Sequence, residues 1–124
     1  MEAKAPKRRV FVVGVGMTQF YKPTRTDIGD YPDFAPQAVK RALRDANVKF
    51  EDIEHIYIGY AYGDSCAGQR ALYEVGMSGV PITNVNNNCA TGSTAMFNCK
   101  LLVEGGLAEC TMAFGFEKMM RGSL

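Results

Sequence analysis

The 124-residue sequence predicts one α/β domain, a layered sheet of the βαβαβαβ type with helices on both faces. Three observations carry that expectation. Short runs rich in β-branched residues alternate with stretches of helical periodicity, and Gly and Pro punctuate the boundaries between them. One of those runs passes through three asparagines and a cysteine into a long helical stretch. A composition of 47% hydrophobic and 22% charged residues is ordinary for a globular domain with a core.

Residues 10–15 form a continuous apolar run, expected as a strand covered on both faces. Residues 17–33 hold Pro23, Gly29 and Pro32 among charges and are expected as an irregular connection. A helix follows over 35–46, where Ala35, Ala38, Val39, Ala42, Leu43 and Ala46 recur on one face and Lys40, Arg41, Arg44 and Asp45 on the other. Residues 53–60 are the second strand, with Ile56 and Ile58 alternating against His55 and Tyr57. A short helix over 69–76 ends at Gly76 and Gly79, and Pro81 introduces the third strand. The long helix beginning at Cys89 or Ala90 stops at Gly105-Gly106, and residues 109–116 are the fourth strand. Residues 117–124 have no partner element and are expected to continue in a longer chain.

Cys89 is the candidate nucleophile. It stands where a β-branched strand turns into a helix, and the first turn of a helix leaves backbone N–H groups unpaired with a partial positive charge, which stabilises a thiolate. Small neighbours at Ala90, Gly92 and Ser93 leave room for an acyl group. Nearby N–H groups or a side chain then have the chemistry to stabilise an oxyanion. The competing reading is a buried small hydrophobe. Against it, Asn86, Asn87 and Asn88 need hydrogen-bond partners if buried and are poor strand formers.

Other classes fall away. A formal net charge of +1 gives no electrostatic case for nucleic acid, and no apolar run is long enough for a membrane span. A soluble intracellular protein is the expectation. Cys66, Cys89, Cys99 and Cys110 show no metal-ligand spacing and only His55 is available to join them, so neither zinc nor another metal is expected, and the thiols read as free. The absence of a Cys-x-x-Cys pair disfavours a thiol redox protein. Gly14-Val15-Gly16 lacks the third glycine of a dinucleotide fingerprint, since position 19 is Gln19. His55 lies near the start of a strand among Glu51, Asp52 and Glu54, away from Cys89, and is not expected to act as its base. Glu117 and Arg70 read as structural, a cap or salt bridge and a loop contact respectively. Tyr60, Tyr62, Met77 and Met96 are candidates for an acyl pocket, with core packing the preferred reading of each.

The segment Asn84-Val85-Asn86-Asn87-Asn88-Cys89-Ala90-Thr91-Gly92-Ser93 resembles the nucleophile segment of thiolases, in the branch related to sterol carrier protein x. Residues 9–18, Asp30-Tyr31-Pro32-Asp33, Gly68-Gln69-Arg70-Ala71, and Gly115-Phe116-Glu117-Lys118-Met119 followed by Gly122-Ser123-Leu124 agree with that branch in order and span nearly the whole chain. Ketoacyl synthases share the fold and a cysteine at a helix start, but these blocks match thiolases better. The resemblance implies the thiolase fold, N-terminal half, over 1–124, with the C-terminal half absent.

It also implies ping-pong acyl transfer between 3-oxoacyl-coenzyme A and coenzyme A through a Cys89 acyl-enzyme, in fatty-acid or sterol side-chain β-oxidation. No cofactor is implied; the coenzyme A thioester is the substrate. No Gly-His-Pro segment occurs, and no residue is assigned to the family's later Cys-x-Gly motif, so Cys89 alone of the catalytic set is carried over. Family members pair subunits through the strand before the nucleophile, here residues 82–88 from Ile82 to Asn88, which implies a homodimer. The branch implies peroxisomes, with mitochondria the alternative; Gly122-Ser123-Leu124 is not a peroxisomal Ser-Lys-Leu address. The alternative function is a truncated, non-catalytic subunit that pairs with a complete relative.

Overall fold

The computed structural model describes residues 7–120 and 122–123. Helix α1, Tyr31–Ala46, starts earlier than its apolar periodicity suggests. Asp30 caps it: its carboxylate accepts from the Tyr31 N–H (2.7 Å), while the Asp33 carboxylate accepts from the Asp30 N–H (2.8 Å). Pro32 occupies the first turn, where its missing N–H has no intrahelical partner to lose, so a residue that reads as a breaker becomes part of the start. The helix leaves through Asn47 in the left-handed region (φ 53°).

A 3₁₀ turn, Phe50–Asp52, leads into β1, His55–Gly59. Helix α2, Ala67–Leu72, β2, Ile82–Val85, helix α3, Thr91–Glu104, and β3, Thr111–Gly115, follow. The three strands form a parallel sheet in the order β2-β1-β3. Ile56 stands opposite Ile82 on one side and Met112 on the other. The α/β class, with strands and helices alternating along the chain, agrees with the sequence.

Alternation along β1 sorts the layers. Ile56 and Ile58, both 0% exposed, join Phe114 and Phe116 against Ala35 and Val39 of α1 and Ala71 and Leu72 of α2. The other face carries small residues such as Gly59 and Ala113, over which α3 buries Thr91, Ala95 and Cys99, three positions four apart. A stack of three rings, Tyr31 on Phe116 at 4.6 Å and Phe116 on Tyr60 at 5.1 Å, ties the start of α1 to the carboxyl ends of β1 and β3.

The first expected strand is a correction. Residues 10–15 pair with no strand among the described residues, and Phe11, Val12, Val13 and Val15 are exposed. The segment lies against α1 instead. A Cβ at Gly14 would fall 2.6 Å from the Ala46 Cβ, one at Gly16 would run into the Ala38 carbonyl oxygen, and the Val15 N–H donates to Asp45 (2.9 Å). β-Branched composition supplies the propensity, but a strand exists only where a neighbouring backbone offers its hydrogen bonds. The outer edges of β2 and β3 are likewise unpaired among the described residues.

Candidate functional site

The site forms at the carboxyl end of the sheet, where β2 gives way to α3. β2 stops at Val85, short of the expected 82–88. Asn88 adopts a left-handed conformation (φ 48°), which Asn tolerates better than most residues. Helix α3 begins at Thr91 behind an Ala90 N-cap that offers no side-chain bond. Cys89 therefore precedes the helix by two residues rather than opening it.

The three asparagines have distinct duties. Asn86 accepts the Asn88 N–H on its Oδ1 (3.0 Å), and the Asn87 Nδ2 donates to Thr94 Oγ1 (3.0 Å). The Asn87 N–H donates to Thr91 Oγ1 (2.8 Å), and that hydroxyl donates to the Asn88 carbonyl (2.6 Å). Asn88 Oδ1 stands 3.9 Å from Cys89 Sγ. The thiol itself is free and exposed, so the reading of Cys89 as a core residue does not hold.

Two further features suit an incoming carbonyl. The Gly92 and Ser93 N–H groups have no acceptor among the described residues. A Cβ built at Gly92 meets nothing within 4 Å, so the approach is open. Free N–H groups at a helix start favour negative charge nearby.

The other cysteines differ. Burial pushes the Cys99 thiol above its ordinary range, and burial, then Glu54 and Asp52, does the same at Cys110. Cys66 is exposed and left-handed (φ 59°) ahead of α2. Cys66-Ala67-Gly68 spells Cys-x-Gly, but it precedes Cys89 in the chain and its glycine serves packing: the Gly68 N–H donates to Asn84 Oδ1 (3.0 Å), with Ile58 beside it.

His55 pairs through Nε2 with Thr83 Oγ1 (3.0 Å) at the amino end of β1, the end opposite Cys89. Glu117 accepts the Ala61 and Tyr62 N–H groups (3.0 and 2.9 Å), as a loop brace. Arg70 lies over the Tyr31 ring at 5.7 Å. Of the four acyl-pocket candidates only Tyr60 packs on the core; Tyr62, Met77 and Met96 are exposed, which corrects the packing reading for those three. A cavity of about 730 Å³ opens between α1, residues 18–28 and the end of β3, lined by Phe20, Phe34, Arg41 and Phe116, and Cys89 is not on its wall. Sequence reasoning missed Thr91; a threonine two residues after the cysteine was the available signal.

A parallel sheet with a free thiol presented at a strand-to-helix turn on its carboxyl end defines an α/β protein with an exposed cysteine at that turn. The thiolase N-terminal domain matches residues 10–123, and the chain belongs to the thiolase family. It is 59% identical to sterol carrier protein 2 of Oryctolagus cuniculus over 97% of its own length and 22% of that protein's. It is 49% identical to non-specific lipid-transfer protein-like 2 of Caenorhabditis elegans over 95% of its length and 29% of the relative's. The chain thus spans between about a fifth and a third of these relatives. Among solved structures, the priming β-ketosynthase of the R1128 polyketide pathway superposes with a TM-score of 0.65 at 18% identity, covering 96% of this chain and 45% of that one, a likeness of fold alone. No helix among the described residues is long and apolar enough to cross a membrane.

Proposed function

We propose that Cys89 accepts an acyl group from a coenzyme A thioester, as the first half of a thiolase acyl transfer completed by a longer chain. The carrying observation is the exposed Cys89 thiol at the turn ahead of α3, whose Gly92 and Ser93 N–H groups have no acceptor among the described residues. The Cys89 thiol loses its proton to solvent or a base, and the thiolate attacks the thioester carbonyl. A new C–S bond forms, and the carbonyl π electrons move onto oxygen, a negative charge that the unpaired N–H groups at the start of α3 favour. Collapse expels coenzyme A as its thiolate and leaves the acyl-enzyme. Return of the acyl group to coenzyme A in fatty-acid or sterol side-chain β-oxidation is the family's reading of the second half, with peroxisomes as its place.

Family membership and the high identity to a sterol carrier protein support the substrate class. The unpaired outer edge of β2 supports a second reading, in which two copies pair along that edge as a homodimer or the chain serves as a structural subunit. Intact mass after brief exposure to an acyl-coenzyme A tests the first reading. One adduct that disappears in Cys89→Ser supports it; a folded chain without an adduct supports the structural one.

A further inference from the structure

Thr91 is the only polar residue in the buried set among the described residues, at 6% exposure, and it stands two residues after the thiol. Its side chain is held from three directions. The hydroxyl accepts the Asn87 N–H (2.8 Å) and donates to the Asn88 carbonyl (2.6 Å), while its methyl packs so tightly on β1 that a Cβ at Gly59 would lie 2.5 Å away. The same Asn88 carbonyl also receives the Thr91 N–H (3.1 Å). Asn88 is thus clamped while its φ is 48°, a region that a residue with a Cβ enters at a cost and keeps where its surroundings hold it. Cys89 is the next residue, so the direction in which its thiol leaves the backbone depends on that turn.

We propose that Thr91 is a positioning residue for Cys89: its hydroxyl locks Asn88 in the left-handed turn that presents the thiol ahead of α3. The consequence for acylation rests on the reading of Cys89 as an acyl acceptor; the effect on the turn does not.

Thr91→Val keeps the branched shape and removes the hydroxyl, whereas Thr91→Ser keeps the hydroxyl and removes the methyl. Two readouts apply to the whole chain: the rate at which Cys89 takes an acetyl group from acetyl-coenzyme A, located by peptide mapping, and the Asn88 φ from its backbone NMR coupling. Thr91→Val should slow acylation about tenfold or more, since displacement of a reacting group by about 1 Å costs up to about a hundredfold. It should also move Asn88 out of the left-handed region, and Thr91→Ser should preserve both properties. Glycine takes positive φ without support, so adding Asn88→Gly to Thr91→Val should bring the rate to that of Asn88→Gly alone.

An unchanged Asn88 φ in Thr91→Val, or a double variant that stays slower than Asn88→Gly alone, overturns the proposal. Should Thr91→Val not fold, Thr91→Ser and the double variant decide, because a lock on the turn is replaceable by glycine and a purely structural hydroxyl is not. Absence of any acyl adduct on the folded wild-type chain sinks the acyl-acceptor reading alone, and the Asn88 φ still settles the role of Thr91.

Discussion

Gly59 and Thr91 meet where the end of β1 supports the first turn of α3, and a Cβ added at Gly59 would sit 2.5 Å from Thr91 Cγ2 and 3.2 Å from its carbonyl oxygen. The close approach seats α3 on the sheet and the thiol-bearing turn at its edge. Gly59→Ala has no room unless the helix start lifts. Overpacking of this kind costs about 1–3 kcal/mol, so the midpoint of denaturant unfolding should fall with the slope unchanged. A variant as stable as the wild type would mean that α3 is not seated this closely.

The fold was legible where local chemistry and tertiary surroundings agree. Ile56 and Ile58 alternate and are buried, and Gly105-Gly106 ends α3. It was not legible in residues 10–15, whose β propensity finds no partner strand among the described residues, or at Pro32, whose meaning depends on the Asp30 cap before it. At the site, the residue type of Cys89 and its place between β2 and α3 could be read directly. The left-handed Asn88 and the two-way Thr91 hydroxyl could not, because they are properties of a turn formed by several residues at once.

Glu117 lies just beyond β3 and holds the loop after β1 through two backbone N–H groups. Glu117→Ala removes both acceptors. Amide exchange at Ala61 and Tyr62 should rise sharply while exchange in β1 changes little, since the loop opens without the sheet. The stability loss should be about 1 kcal/mol, as the carboxylate is solvent-exposed and water replaces it as acceptor. Exchange at the two amides that matches the wild type would dismiss the brace.

Glu104 carries a pH dependence. Hydrogen bonds from Lys100 (3.0 Å) and then Lys7 (3.3 Å) hold its carboxyl below its ordinary value of 4.5. A carboxyl depressed in the folded state stabilises the fold above that ordinary value and loses its contribution as pH falls through the folded one. The melting temperature of Glu104→Gln should therefore lie slightly below wild type at neutral pH and converge with it below about pH 4.5. Added salt should narrow the neutral gap, because the lysines face solvent. A gap that persists unchanged in acid would show that the glutamine acts through something other than charge.

The four thiols should react in an order that reports how α3 sits. Cys66 and Cys89 are exposed, Cys110 is half-buried, and Cys99 is buried under α3 with its thiol pushed up first by burial. A small alkylating reagent at neutral pH should modify Cys66 and Cys89 promptly, then Cys110, and Cys99 only as α3 lifts from the sheet. In denaturant the four rates should draw together. The same helix leaves Met96, Phe97 and Leu101 exposed, so it is apolar on the face away from the sheet as well. A helix apolar on both faces is built for cover on both. A longer chain that places a second layer over α3 should therefore slow Cys99 further while leaving Cys89 accessible to a substrate. If Cys99 reacts as fast as Cys66 in the 124-residue chain, α3 does not hold its place on the sheet without that layer.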